Sequence, residues 1–370
     1  MKRASPWFLG LSAAAVLVAA ASFAAPARAA AARSAEETLS ELAKLAPAER
    51  QKRLEEGAKK EGAVQFYSNE NIDLLQRQAE GFMKRYPFVK ADYWRGSGVR
   101  LVDRILLENR AKKLDADVVN VPFEAGMAIK RENVWTPYRS PELRNYSKMH
   151  ADEKGMWSAG HINIAVIAYN SKMVKPEEAP KDYPDLFNPK WKNDLSIDQE
   201  PDRALMGWLA AWGEEKTRDF LKRLMRNGMV VRRGHTQQIQ LLCGGEFKIG
   251  VELYAYRVAQ LKYEKKCPVA ITYPNPTPGS VGSLAGINRS APHPHAAALF
   301  TDYILSAEGA KILAATGRIP GHKDVKSIYE EVSQLEQKKV PLLLVSPEKA
   351  DAMGDVAKKI IEEILIRKQF

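Results

Sequence analysis

Cysteine is almost absent from this 370-residue chain, which holds only Cys243 and Cys267. Two cysteines that far apart, with no histidine at finger spacing, do not assemble a tetrahedral zinc site. An oxidising compartment would permit one bridge between them, and the sequence leaves the bridged and free-thiol forms both open. Beyond the first 25 residues no long apolar run occurs, because charges interrupt every candidate within a few positions, so no later membrane span is expected. Missing too are a Gly-x-Ser-x-Gly nucleophile elbow and a His-Glu-x-x-His zinc helix. Gly96-Ser97-Gly98 follows a strand and precedes a helix, but Leu101 stands where a dinucleotide fingerprint needs its third glycine. A binding protein, not an enzyme, is the expectation.

What is present begins with an address. Lys2 and Arg3, the apolar run from Trp7 to Ala25, and Ala27-Arg28-Ala29 have the charged, greasy and small-residue order of a cleavable export signal, with removal expected near Ala29 and a periplasmic destination. The formal net charge is +11, and the chain stays basic once the leader is gone. Lys and Arg are scattered among acidic residues instead of concentrated beside aromatic or groove-reading motifs, so no nucleic-acid partner is expected and an anionic ligand or anionic membrane surface is. The remaining chain, about 340 residues, is too long for one simple core and suits two lobes with a cleft between them.

From residue 30 to about 60, leucines alternate with charges, as in one or two short amphipathic helices lying at the periphery. From Gly62 strands and helices alternate. Ala63 to Tyr67 reads as a strand, followed by an apolar stripe at Leu75, Ala79, Phe82 and Tyr86 that Pro87 ends. Val89 to Trp94 and Asp117 to Val121 read as further strands, with a helix carrying Leu101 and Ile105 between them. This alternation argues for an α/β fold with parallel sheets. Ile162 to Tyr169 reads as a strand crossing between lobes, and Val269 to Tyr273 as the crossing back. Between them Trp208 to Trp212 and Phe220 to Leu224 mark two helices, and Arg233-Gly234-His235-Thr236 opens another that Gly244-Gly245 stops.

The order of these elements resembles the extracellular solute-binding proteins of ABC importers, specifically the two-lobed type II periplasmic binding protein fold in its iron(III)-type branch. The resemblance covers residues 62 to 323. It rests on Val64-Gln65-Phe66-Tyr67-Ser68, Gly96-Ser97-Gly98-Val99, Ala116-Asp117-Val118-Val119, Ala168-Tyr169-Asn170, Phe187-Asn188-Pro189-Lys190-Trp191, the stretch 250 to 256, the stretch 273 to 279, and Ser306-Ala307-Glu308-Gly309-Ala310. It implies two lobes that close on a small ligand and present it to an inner-membrane ABC permease, the crossing strands near Ala168 and Tyr273 acting as hinge. It implies lobe 1 from residues 61–163 and 276–322, lobe 2 from 164–275, the helical extension 30–60 before them, and C-terminal helices at 323–370 packed on lobe 2. A monomer without resident cofactor is expected, ferric ion entering only as transported cargo.

Ferric binders of that branch commonly use a histidine in the first loop, a glutamate after the third strand, and two adjacent tyrosines opening a helix of the second lobe. Here the first loop reads Ser68-Asn69-Glu70-Asn71, the third strand runs into Pro122-Phe123 with Glu124 close by, and the tyrosines are split as Tyr254-Ala255-Tyr256. The expected cargo is therefore a small anion or metal–anion complex; direct Fe(III) capture by Tyr254 or Tyr256 with Glu70 or Glu124 is the alternative. Backbone N–H groups at helix N-termini are ready anion donors. Two helix starts qualify, Ser97-Gly98 and Gly234-His235-Thr236, with Arg233 or Arg95 to add a charge-assisted bond. Tyr67 and Ser68 end the first strand, where such sheets present ligand contacts, and Phe123 could stack on a planar ligand. Tyr254 and Tyr256 lie at a strand-to-helix corner expected to face the cleft.

Overall fold

The structure is a computed structural model that describes residues 34–370 apart from Ser97 and Gln334; the expected export signal, and Ser97 as an anion donor, lie outside the described residues. Two helices open the described chain, α1 (Ala35–Leu42) and α2 (Pro47–Glu61). Strand β1 (Ala63–Ser68), helix α3 (Ile72–Arg85), strand β2 (Lys90–Arg95), helix α4 (Gly98–Arg110) and strand β3 (Val118–Val121) then alternate as their apolar periods require. Helix α5 (Gly126–Arg131) and the short β4 (Trp135–Thr136) lead to β5 (His161–Asn170). The next stretch holds β6 (Leu195–Asp198), α6 (Asp202–Arg226), β7 (Val230–Arg232), α7 (His235–Gly244), β8 (Ile249–Tyr254), α8 (Ala255–Lys265) and β9 (Val269–Thr272). The chain returns through β10 (Thr277–Val281) and β11 (Leu284–Asn288) to α9 (Pro294–Leu305), α10 (Ala307–Ala315) and β12 (Ile319–Pro320), and finishes with β13 (Leu342–Val345) and α11 (Pro347–Ile360).

The strands form two sheets. The first has the order β2-β1-β3-β11-β4, and the second runs β13-β10-β5-β8-β6-β7, with β9 and β12 also paired to β5. Strand β1 lies parallel to β2 and β3, and β6 parallel to β7 and β8. This is the two-lobed α/β fold that the sequence anticipated, with one crossing corrected. Ser158, just before β5, bridges to Ala285 in β11, so β5 does leave the first lobe for the second. Val269 to Thr272, however, pairs with β5 wholly inside the second sheet. The return is made by β10, antiparallel to β5 at Gly279–Val281, which passes through Gly282-Ser283 into β11. Pro278 and Gly279 disguise that strand as a loop, since both residues are poor strand formers.

Two further expectations change, and one holds. The opening helices are not peripheral: Leu39, Leu42, Leu54 and Ala58 are buried in one cluster with Phe66, Phe82 and Phe300, and full burial of each leucine stabilises by about 2 kcal/mol. The two helices expected around Trp208 and Phe220 are both present within α6, meeting at a kink at Gly213, whose φ of 77° only glycine adopts without strain. Leu342 to Leu344 are a strand parallel to β10, not part of a helix. His293 and His295, which could have suggested a metal, each serve a different carboxylate: Nδ1 of His293 lies 3.0 Å from Asp117, and Nδ1 of His295 lies 2.6 Å from Glu61.

Cys243 at the end of α7 and Cys267 before β9 are joined, closing a loop of sequence separation 24. Restricting the unfolded chain over such a loop is worth about 3 kcal/mol. Reduction, or the double substitution to alanine, should lower the unfolding free energy by that amount, read as a lower urea midpoint with a steeper slope as the unfolded chain expands; an unmoved midpoint and slope would show that the bridge constrains nothing in the unfolded chain.

Candidate ligand-binding cleft

A cavity of about 470 Å³ opens between the two sheets, within the size range of small-molecule sites. From the first lobe come the turn after β1 (Asn69 to Asn71), Arg95 at the end of β2, Gly98 opening α4, and Glu124 after β3. The second lobe contributes Asp198 and Glu200 after β6, Asp202 and Arg203 opening α6, Arg233 to Gln237 opening α7, and the corner residues Tyr254 and Tyr256. Asn163 on β5, Ser283 on the return crossing, and Arg318 complete the wall. Most of these sit where strands give way to helices, the ligand edge of open α/β sheets.

Helix openings supply backbone donors. Gly234 precedes α7 with φ +93°, Gly98 begins α4 with φ +46°, and a Cβ on either would meet nothing within 4 Å. No side chain caps α7 at Gly234, so the first-turn amides of α7 keep free donors beside Arg233, which is exposed.

The interior of the cleft is charged. Arg203 is 6% exposed; its Nε donates to Ser280 Oγ at 2.8 Å and its Nη1 to the Tyr254 hydroxyl at 2.7 Å. Glu124 Oε1, from the opposite lobe, lies 3.6 Å from Nη1. Burial opposes the guanidinium's charge, but Tyr254, Glu124 and Asp202 more than offset it and hold the group protonated. Burial pushes the Tyr254 phenol well above its ordinary value, against the pull of Arg203.

His235 stacks on Tyr254 with ring centroids 4.1 Å apart and 8° between planes. Its Nε2 lies 3.0 Å from Glu252 Oε2, and its Nδ1 lies 3.6 Å from Asp198 Oδ2. Glu252 is delivered to that contact by a left-handed backbone, φ +66°, beside a register shift between β5 and β8; a non-glycine residue held there signals a site where strain serves an arrangement. Burial works against protonating His235, yet Glu252 and Asp198 push it up to about 9. Burial in turn raises the Glu252 carboxyl, and the imidazolium opposes that rise.

Because the folded value lies above the ordinary 6.5, the stability His235 contributes is complete below pH 6.5 and lost as pH rises through 9. At 1.36 kcal/mol per unit this amounts to about 3 kcal/mol. Denaturant titrations from pH 6 to 10 should show that loss, and His235→Gln should flatten it; a flat wild-type profile would mean that folding leaves the proton affinity of His235 unchanged.

A second charged centre lies where the crossings meet the first lobe. Arg318 Nη2 donates to Glu70 Oε2 at 2.6 Å, Ser283 Oγ donates to Oε1 at 2.7 Å, and His161 Nε2 is 3.7 Å from Oε1. Burial opposes the Glu70 charge, but Arg318, His161 and Ser283 hold its carboxyl at about 2. Burial lowers His161 to about 4 despite Glu70. The guanidinium of Arg318 also lies 5.1 Å from the centroid of the Tyr256 ring.

Of the residues singled out from sequence, Gly98, Arg233, His235, Thr236, Tyr254 and Tyr256 meet at this cavity, together with Arg95, Glu70 and Glu124. Three others stand behind it. Tyr67 is buried, its hydroxyl accepting from Arg104 Nη2 at 3.0 Å and its ring against Trp94. Ser68 Oγ accepts from the Glu70 and Asn120 nitrogens, tying the turn after β1. Phe123 is 1% exposed and lies under Arg203. Sequence reasoning missed Arg203, Asp198, Glu252 and Arg318; the charged run Asp198-Gln199-Glu200-Pro201-Asp202-Arg203 directly after a strand was the available signal for the first two.

A sequence profile of the bacterial extracellular solute-binding proteins matches residues 119–339, more than half of the chain. The chain belongs to that family. Among curated relatives, this solute-binding protein is similar to iron uptake protein A1 of Synechocystis sp., with 26% identity over 264 residues, covering 65% of this chain and 73% of that one. Among solved structures it is similar to iron-bound HitA from Pseudomonas aeruginosa, with TM-score 0.70, 19% identity, and coverage of 80% of this chain and 99% of that one. It is also similar to the periplasmic binding protein AfuA from Actinobacillus pleuropneumoniae with fructose-6-phosphate bound, with TM-score 0.69, 22% identity, and coverage of 82% and 98%. These structural likenesses show the fold. One of the two solved relatives holds iron and the other a sugar phosphate, so the cargo must be argued from the cleft itself.

Proposed function

We propose that this protein, exported to the periplasm and freed of its leader near Ala29, captures a small anionic solute or metal–anion complex between its lobes as a monomer. It then presents that cargo to an inner-membrane ABC permease. The anion sits against the first-turn amides of α7, with Arg233 as the exposed cation and Arg203 and His235 as the fixed field behind it.

One observation carries this reading over direct ferric capture. The Tyr254 phenol, the best-placed metal-ligand candidate, accepts from a guanidinium at 2.7 Å and lies against a protonated imidazole at 4.1 Å. Bare Fe(III) brought to that oxygen meets two fixed positive charges, and the phenol must lose a proton that burial holds in place. An anion meets the same two charges as attraction.

Thermal-shift and calorimetric titrations with phosphate esters, carboxylates and ferric salts test the reading. Iron-free anions should raise the melting temperature, and Arg233→Ala should weaken their binding by about tenfold or more, the worth of one charge-assisted hydrogen bond. A shift produced by ferric salts whatever the counter-anion, with a visible tyrosinate–iron band lost in Tyr254→Phe, would overturn it in favour of metal capture.

A further inference from the structure

Some carboxylates of the cleft are left unanswered by its cations. Glu124, Glu200 and Asp202 all line it. Neither the Glu200 nor the Asp202 carboxylate accepts a hydrogen bond among the described residues, and Glu124 has only Arg203 at 3.6 Å. Carboxylates crowded in this way repel one another, so the group lacks a partner that the protein does not supply.

Asp198 points the same way independently. It is 3% exposed and lines the cavity. Its Oδ1 accepts from the Glu200 backbone N–H at 2.9 Å, but its Oδ2 accepts no hydrogen bond. The nearest cationic atom, His235 Nδ1, is 3.6 Å away, beyond hydrogen-bond reach. A buried carboxylate oxygen left without a donor is costly unless something arrives to fill it.

We propose that the ligand is an anion that also carries a primary ammonium group, received by Glu124, Glu200, Asp202 and the free oxygen of Asp198, while its anionic end lies at α7 and Arg233. This rests on the anion-binding reading above and narrows its substrate class. A quaternary ammonium fits less well, because the aromatic faces it would need are in use. Arg203 lies 5.1 Å from the Tyr254 ring centroid with His235 stacked on that same ring, and Arg318 lies 5.1 Å from the centroid of Tyr256. Carboxylates and N–H donors are what remain, and a primary ammonium offers three such donors.

Binding should also move a proton. Burial, then Glu124, Glu252 and Glu200, hold the Asp202 carboxyl well above the usual range against the pull of Arg203. An ammonium placed beside it favours the carboxylate, and the displaced proton passes to the buffer.

The test uses matched pairs that differ only in the amine: phosphoethanolamine against ethyl phosphate, and 3-aminopropionate against propionate. Each is titrated calorimetrically into the mature protein and into Glu200→Gln/Asp202→Asn. That variant removes crowded negative charge and leaves Arg203 its contacts with Glu124 and Tyr254, so it should fold. The amino compound of at least one pair should bind about tenfold or more tightly than its partner, with heat that differs between PIPES and Tris as protons are released, and both effects should vanish in the variant. Equal binding within the pairs would overturn the inference and leave the anion reading standing. Tighter binding of the amine-free anions, or binding of calcium chloride alone at the carboxylates, would overturn it as well. No response to any of the four compounds would overturn both readings.

Discussion

Glu70→Gln should destabilise the protein by about 3 to 5 kcal/mol, because it leaves the Arg318 charge buried without its counter-ion. Arg318 is 2% exposed. Its charge is kept in the interior by Glu70, against burial. Glutamine keeps the shape, can still accept from Ser283, and removes only the charge, so the loss reads the electrostatic term. Glu70→Leu/Arg318→Met should recover most of the stability, since removing both ions also removes both desolvation penalties. The pH dependence has the matching sign. Glu70 folds with a value near 2 against an ordinary 4.5, so its contribution is complete above pH 4.5 and lost as pH falls through 2. His161, held near 4 against an ordinary 6.5, adds loss in the same direction between pH 6.5 and 4, since the unfolded chain takes up that proton first. Urea midpoints at pH 3, 5 and 7 check both statements, and a Glu70→Gln protein as stable as wild type at pH 7 would refute the buried-pair account.

The Glu70–Arg318 pair also marks what sequence reasoning could not reach. The two residues are separated by 248 positions, and although Glu70 stands out in the first loop, nothing local ties it to Arg318; only the fold brings them together at the crossings. The first lobe was legible because its strands and helices keep clean apolar periods, as in Leu75, Ala79 and Phe82 on α3. The return strand was not, because Pro278 and Gly279 carry loop chemistry in a position where neighbouring strands fill the ladder from both sides. Within the cleft, Gly234, His235 and Tyr254 were legible since helix openings and strand-to-helix corners leave local traces. Arg203 left only its place in the charged run that opens α6, which names no role. It reads as an ordinary charge in the first turn of a helix, and its importance comes from Ser280, Tyr254 and Glu124, which reach it from three distant segments.

That convergence makes Arg203→Met the second large effect expected. Methionine fills similar space without charge, so packing on Phe123 survives while three polar partners lose their cation. The Tyr254 hydroxyl loses its donor, Glu124 and Asp202 lose the charge that moderates their repulsion, and folding should cost about 3 kcal/mol. Anion binding should fall further than stability accounts for, by about 100-fold, because truncating one partner of a buried charge pair costs about 2 to 5 kcal/mol or more. Part of that loss is mechanical. Arg203 belongs to the second lobe and touches the crossing strand β10 through Ser280, while Glu124 belongs to the first; the pair therefore spans the cleft and favours the approach of one lobe to the other. Arg203→Lys separates the two contributions, since it keeps the positive charge but has no planar fork to hold Ser280 and Tyr254 together. It should restore part of the affinity and little of the rigidity, measured by calorimetry for binding and by small-angle scattering for the ligand-induced decrease in radius. If the lysine protein closed as fully as wild type, Arg203 would be a charge in the cleft and not a link between lobes.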